Sequence, residues 1–482
     1  MNRPIRRVAV VLALLMFALL LNVNWVQGFQ ARSLGQRPDN ARVRTAEYSR
    51  ERGSILVQGR AVARSTATDD SLKYLRRYPG GAEYAPLTGF YSILYGSSGV
   101  ERSQNPSLAG TDSRLFVRRV VDLVQGAAPS GASVELTVQS RVQDAAWQAL
   151  QGKTGAVVAL DPRTGAVLAL ASRPSYDPST LSSHDTQATT RAWTALNADP
   201  AAPALDRAAR ETYPPGSTFK LVTAAAALAA GGYDPSTVLP APTELKLPQT
   251  SNVLRNDAGE SCGSGGRTTL ANALKISCNT AFGQLGLTLG NAALAKQAGL
   301  FGFGARLLPE LDGVASVFSD GADQPNTAYA AIGQFDDRAT VAQMASVAAT
   351  IANGGQRHEP YLVQRVLGPN LSTLSTHDNT QPTTVMTRDA AGRLTSMMEG
   401  VVTGGTGTAA QISGTRVAGK TGTAQDGNGG TVAWFVAFAP AENPTVAVAV
   451  AVQDAGLPAR TDLYGGRVAA PIAKSVLQAA LR

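Results

Sequence analysis

Histidine and cysteine are the scarce residues of this 482-residue chain, with three His and two Cys. His184, His358 and His377 stand apart in polar, loop-like sequence, so a Ser-His-Asp triad has no natural base. No cluster of ligating side chains stands out, and neither a metal nor a cofactor is expected. Basic runs are missing too. The net charge is +8 and the pI near 9.6, yet no five consecutive Lys or Arg occur. Nucleic-acid binding needs clustered cations, so nucleic acid is not an expected partner. Anionic lipid or an anionic polymer suits diffuse positive charge better. Charged residues make up 16% and hydrophobic residues 44%, a balance that buries a core and excludes extended disorder. No internal repeat is present. The length fits two or three domains.

Long apolar runs are also rare, and the one that exists is terminal. Arg3, Arg6 and Arg7 precede Val8 to Leu21, extended by Val23, Trp25 and Val26. A helix of about 20 residues spans a bilayer's hydrocarbon core. Cations before the run and Trp at its far end orient it with the N-terminus in the cytoplasm. A cleaved signal peptide is the rival reading, but no small-x-small site follows Leu21. Residues 1–7 are therefore expected as a cytoplasmic tail and 8–26 as an uncleaved signal anchor. Everything beyond lies outside the cytoplasm. In that oxidising setting Cys262 and Cys278 are expected to be bonded.

Residues 27–150 are Arg-rich, with turn signals at Tyr78-Pro79-Gly80-Gly81 and Gly96-Ser97-Ser98-Gly99. They read as a non-catalytic pedestal. A second domain, 151–482, opens with two apolar runs flanking Asp161-Pro162-Arg163-Thr164-Gly165, a hairpin signal. Tyr213-Pro214-Pro215-Gly216 then breaks the chain. Ser217 to Ala230 is apolar, Ala-rich and stopped by Gly231-Gly232, which predicts a buried central helix. Helical stretches are expected near Leu270 to Leu289 and Val341 to Asn353. Thr431 to Ala439 and Thr445 to Val452 predict strands, and Ala470 to Leu481 a closing helix. Strands, helices, strands and a helix give an α/β domain with a mainly antiparallel sheet.

A serine hydroxyl is a poor nucleophile until a base takes its proton. Lys220 follows Ser217 by three residues, so both side chains share one helical face. Its apolar surroundings disfavour the ammonium form, and a neutral amine can serve as that base. A lone Ser-x-x-Lys is common by chance, but Ser277-Cys278-Asn279 and Lys420-Thr421-Gly422-Thr423 follow it in order.

These three segments resemble the motifs of penicillin-binding transpeptidases. The resemblance runs over nearly all of residues 155 to 482. It takes in Tyr213 to Lys220, Ile332-Gly333-Gln334, Ala352-Asn353-Gly354-Gly355, Ala418 to Gln425, and Gly465-Gly466 with Ala469-Ala470-Pro471. An anchor plus a non-catalytic first region is similar to the monofunctional class B members, and the short length to the actinobacterial penicillin-binding protein A group. The resemblance implies the penicilloyl-serine transferase fold. It implies that Ser217 attacks the penultimate D-Ala of a stem peptide and that Lys220 accepts the proton. Ser277 and Asn279 then relay protons and hold the substrate amide. Thr421 and Thr423, two apart on a strand, share one face and bind the terminal carboxylate beside Gly422. Strict alternation aims Lys420 the other way, though its stem can bring positive potential toward Ser277. The N–H groups of Ser217 and Thr423 form the oxyanion hole. β-Lactams would acylate Ser217, and the role is cell-wall cross-linking in growth, cell shape and division. A membrane glycosyltransferase or other division proteins would be partners. D,D-carboxypeptidase activity, or a non-catalytic β-lactam-binding scaffold, is the alternative. Two departures are visible. Asp206-Arg207-Ala208 replaces the usual Asn-Arg-Ala, and the Asp-Arg-Asn-Gly that normally follows Arg-Gly-x-Ile is eroded to Leu56-Val57-Gln58-Gly59.

Two further patterns compete. Gly414 to Thr421 fits the phosphate-loop spacing, but glycines and a strand follow where a helix is required. Gly259-Glu260-Ser261-Cys262-Gly263 fits an esterase elbow, but no strand precedes it. No glutamate suited to hydrolysing the acyl-enzyme is evident, which disfavours a β-lactamase.

Overall fold

The computed structural model describes residues 2–30, 34, 48–115, 130–256, 259, 261–378, 381–425, 430–453 and 465–482. Glu260 of the elbow pattern and parts of the expected pedestal lie outside the described residues. The N-terminal helix Asn2–Trp25 is continued by a wider turn, Val26–Gln30. It is long and apolar enough to cross a membrane, and none of its apolar window is covered by protein. Leu12, Leu15, Phe17 and Leu20 are all exposed. A helix with so long an uncovered apolar window suits lipid rather than water.

Residues 55–136 build most of a six-stranded sheet, ordered Thr373–Thr376, Val363–Leu367, Ser133–Leu136, Ile55–Val57, Arg60–Ala67, Tyr74–Arg77. Its first two strands come from far down the chain, within the stretch the sequence assigns to the second domain. A buried ion cluster holds the other end. Arg52 and Arg76 each place Nε 2.6 Å from a Glu101 carboxylate oxygen, and the Tyr78 hydroxyl donates to Glu101 at 3.2 Å. The Arg52-Gly53-Ser54-Ile55 segment thus has a structural task in the described residues. Arg52 enters the cluster, and a side chain on Gly53 would strike the Ala132 carbonyl.

A five-stranded sheet organises the second region. Its order is Ala418–Gln425, Thr431–Ala439, Val446–Gln453, Thr154–Leu160, Val167–Arg173, and every pairing is antiparallel. The strand Val446–Gln453 explains the layering, because Val and Ala alternate along it. Val446, Val448, Val450 and Val452 pack with Ala470, Ile472, Val476 and Leu477 of the closing helix. Ala447, Ala449 and Ala451 face the other side, where their small size lets Val341–Ala352 lie close. The mainly antiparallel sheet flanked by helices, expected from the sequence, is the fold observed.

Apart from the turn that carries Ser217, two helix boundaries differ from expectation. The stretch from Leu270 to Leu289 is two helices, Leu270–Lys275 and Asn279–Leu289. Ser277 lies between them at φ +64°, a left-handed value that a continuous helix cannot contain. The closing helix begins earlier, at Gly465, because both glycines let its first turn press onto neighbouring backbone. A Cβ on Gly465 would sit 2.2 Å from the Trp434 carbonyl oxygen.

Candidate active site

The nucleophile candidate is fixed by a pinned turn. Gly216 adopts φ +52° and donates its N–H to the Gly333 carbonyl at 2.8 Å. The Thr218 hydroxyl donates to the Pro215 carbonyl at 2.6 Å, and buried Trp434 donates its indole N–H to Pro214 at 3.0 Å. A short turn, Gly216–Thr218, therefore carries Ser217, and the regular helix begins only at Lys220. Alanine and leucine propagate that helix, and Gly231 at φ +77° ends it. Behind the turn, Asp337 accepts from the N–H and the hydroxyl of Ser319. Burial pushes this carboxyl up to about 7.

Lys220 is fully buried. Its Nζ lies 2.9 Å from Ser217 Oγ, 2.7 Å from the Ser277 carbonyl, 2.6 Å from Asn279 Oδ1 and 3.2 Å from Ser277 Oγ. Two of these partners, the carbonyl and Oδ1, can only accept. A neutral amine satisfies both with its two hydrogens, which turns its lone pair toward the hydroxyls. Lys420 is equally buried and donates to Ser277 Oγ at 2.9 Å and to the Thr421 carbonyl at 2.8 Å. Ser277 Oγ therefore bridges two lysines. Placing both ammonium charges so close in a dry site is costly, which again favours one neutral amine.

The left-handed backbone at Ser277 costs on the order of 1–3 kcal/mol and must be imposed by its surroundings. Two devices impose it. Cys262 and Cys278 are bonded, with Cα atoms 6.0 Å apart, tying the residue after Ser277 to a neighbouring loop. Asn256 Oδ1 accepts from the N–H groups of Asn279 at 2.9 Å and Thr280 at 3.0 Å. It thereby caps the helix Asn279–Leu289 from outside. Asn256 is the contributor that sequence reasoning missed. A capping Asn normally precedes its helix directly, so nothing in the order of residues signals it.

These elements surround one cavity of about 620 Å³. Ser217, Ser277, Thr421, Gly422 and Thr423 line it. Lys220 and Lys420 contact the lining hydroxyls from behind, and Asn279 Oδ1 accepts from Lys220 Nζ. Every residue that the sequence nominated for chemistry thus converges on this place, and the disulfide forms part of its wall. Gly422 is required at its position, since a Cβ there would stand 2.9 Å from Thr218 Cγ2 and 3.0 Å from Trp434 Cβ. Thr421 shares a 2.6 Å hydrogen bond with the Thr406 hydroxyl. Among the described lining residues there is no carboxylate. No histidine lines the cavity, and His184 instead pairs with Asp70 of the first region. Ala418–Gln425 is a strand, so the phosphate-loop spacing carries no loop-to-helix turn.

Comparison with known proteins gives concordant results. The family described as penicillin binding protein transpeptidase domain matches residues 155–478, and that described as penicillin binding protein A dimerisation domain matches 52–134. The chain is 44% identical to the peptidoglycan D,D-transpeptidase PbpA of Mycolicibacterium smegmatis, over 100% of this chain and 99% of that one. It is 43% identical to the protein of the same name from Mycobacterium tuberculosis, again over 100% and 99%. Among solved structures, the imipenem acyl-enzyme complex of M. tuberculosis penicillin-binding protein A superposes with a TM-score of 0.86 at 42% identity, covering 91% of this chain and 100% of that one. Its penicillin G acyl-enzyme complex gives 0.85, covering 90% and 100%.

Proposed function

The chain belongs to the penicillin-binding protein transpeptidase family, and from that premise we propose that Ser217 is its acylated residue and Lys220 the base that activates it. The protein is a peptidoglycan D,D-transpeptidase that binds β-lactams covalently. The observation that carries the residue assignment is the 2.9 Å approach of buried Lys220 Nζ to Ser217 Oγ.

Ser217 Oγ attacks the carbonyl carbon of the penultimate D-Ala, and its proton passes to neutral Lys220. The backbone N–H groups of Ser217 and Thr423 receive the developing oxyanion. The C–N bond to terminal D-Ala breaks, and Ser277 Oγ, between the two lysines, passes a proton to the departing nitrogen. The hydroxyls of Thr421 and Thr423 hold the terminal carboxylate, with Lys420 supplying positive potential. An acceptor amine then attacks the ester, its nitrogen bonding to the carbonyl carbon as the C–Oγ bond breaks and Oγ regains a proton. A β-lactam follows the first half only. With no carboxylate among the described lining residues to activate water, its ester is long-lived.

The cations before the N-terminal helix support an orientation with the catalytic region outside the cytoplasm. Residues 27–150 then act as a non-catalytic pedestal beneath the catalytic region 151–482. A membrane glycosyltransferase or other division proteins would meet the protein at the anchor and supply the glycan.

Transpeptidation and carboxypeptidation separate in one assay. A stem-peptide thioester is turned over with and without a D-amino-acid acceptor. Product carrying the acceptor is expected to rise at the expense of free acid. Release to water at the same rate whatever the acceptor concentration would assign the carboxypeptidase alternative.

A further inference from the structure

We propose that Glu83 and Asp144 form a pH-sensitive latch between the first region and the catalytic core, closed by one shared proton and opened when that proton leaves. The pair lies outside the catalytic cavity, so its role does not depend on which residue is acylated.

The pair sits in a seam of fixed contacts. Glu83 lies in the first turn of helix Gly81–Thr88. Facing it is helix Ser140–Ala149, which sends Val142 and Ala146 into the core of the five-stranded sheet. Fully buried Gln143 donates to the Glu83 carbonyl at 3.2 Å and to the Leu170 carbonyl at 3.0 Å, and it accepts from the Leu170 N–H at 2.9 Å. The Ser175 hydroxyl donates to the Ala82 carbonyl at 2.7 Å. None of these bonds titrates. They hold the Glu83 backbone where its side chain meets Asp144.

The side chains of Glu83 and Asp144 line one small cavity of about 120 Å³ and hydrogen-bond each other. Ionised carboxylates only accept, so that bond exists only while one of the pair carries a proton. Among the described residues, buried Glu83 Oε1 has no amide, hydroxyl or guanidinium donor. Burial and the Asp144 carboxyl push Glu83 up to about 7, against the pull of Arg173 and Arg60. Neither arginine replaces the proton. Arg173 is committed to Trp147, with its guanidinium 3.5 Å from the ring centroid and Nε donating to the Trp147 carbonyl at 3.1 Å. Arg60 is exposed to solvent. Tyr84, pushed up to about 12 by burial, stays neutral, and Ser140 beside it carries no charge. Val57, Ala61, Val62, Pro79 and Gly80 complete the lining and are uncharged. Asp144 is exposed, so on opening the proton passes to solvent and Asp144 turns outward, away from the Glu83 carboxylate. A carboxyl raised in this way stabilises the seam fully below its unfolded pKa, about 4.3, and loses that contribution as pH rises through about 7.

Hydrogen exchange of the full-length protein in detergent, followed by mass spectrometry, reads the latch. Peptides covering Gly81–Thr88 and Ser140–Ala149 are compared at about pH 6 and about pH 8, with intrinsic exchange rates divided out. In wild type their protection is expected to fall roughly three- to tenfold across that range, a modest factor because exposed Asp144 relaxes into water. Glu83→Gln should abolish the fall, because its amide donates to Asp144 at every pH. Asp144→Asn should do the same by donating to Glu83, and as a change at an exposed position it decides the matter if Glu83→Gln misfolds. The strand Ala418–Gln425, at the far edge of the sheet, should show no such difference between wild type and variants. Wild-type protection that does not change with pH, or a fall that persists in either folded variant, overturns the proposal.

Discussion

Replacing Lys220 with arginine is expected to lower the rate of covalent reaction with benzylpenicillin by roughly 10²- to 10⁴-fold, the usual range for a positioned base. Arginine keeps the positive charge and much of the stem, but it does not give up its proton in a protein. The substitution therefore separates two roles that alanine would remove together. If Lys220 served only as a cation beside Ser217, arginine would preserve most of the rate. The geometry argues for the base. Two partners of Nζ, the Ser277 carbonyl and Asn279 Oδ1, consume the hydrogens of a neutral amine. The Ser217 hydroxyl, at 2.9 Å, is left to meet the lone pair. A guanidinium offers no lone pair there. Second-order acylation constants check this, with circular dichroism showing that the variant is folded. A wild-type rate in Lys220→Arg would remove Lys220 from the mechanism.

The second large effect concerns stability. Glu101→Gln is expected to cost about 3–5 kcal/mol, the range for breaking a buried ion pair by removing one partner. Glu101 is fully buried and faces both Arg52 and Arg76 at 2.6 Å. The neutral amide leaves two guanidiniums in the interior without their counter-charge. The effect carries a pH signature. Burial pushes the Glu101 carboxyl up, but Arg76 and Arg52 together outweigh it and hold it below its ordinary range. A carboxyl whose folded pKa is depressed stabilises the fold above its unfolded pKa, about 4.3, and loses that contribution as pH falls through the folded value. The gap in unfolding free energy between wild type and Glu101→Gln should thus be full near neutrality and shrink under acid. Denaturant titrations at several pH values read it directly. A gap that does not change with pH would show that the loss comes from side-chain shape rather than charge.

How much of this was legible in the sequence depends on the range of the interaction. The nucleophile helix was, because its Ala-rich run, its preceding prolines and its glycine stop act within a few residues. The sheet strands Thr431–Ala439 and Val446–Gln453 were legible for the same reason. The site residues converged because their motifs are short and ordered. What the sequence concealed was set by distant partners. The break at Ser277 reads as helix locally, since Leu270 to Leu289 keeps helical composition throughout. It is opened by a disulfide to Cys262 and by the Asn256 side chain. Val363–Leu367 looks like part of the second region, yet it pairs with Ser133–Leu136 of the first sheet. Lys420 is a milder case. Alternation aims it away from the threonine face, and the length of its stem is what lets Nζ reach Ser277 Oγ at 2.9 Å.

The central claim is that Ser217 forms the covalent bond. Its most direct test is mass spectrometry of the intact protein after incubation with benzylpenicillin, followed by peptide mapping. One adduct of the intact drug's mass is expected, located on the peptide containing Ser217 and absent from Ser217→Ala. A wild-type protein that stays unlabelled, or an adduct that persists in Ser217→Ala, contradicts the account.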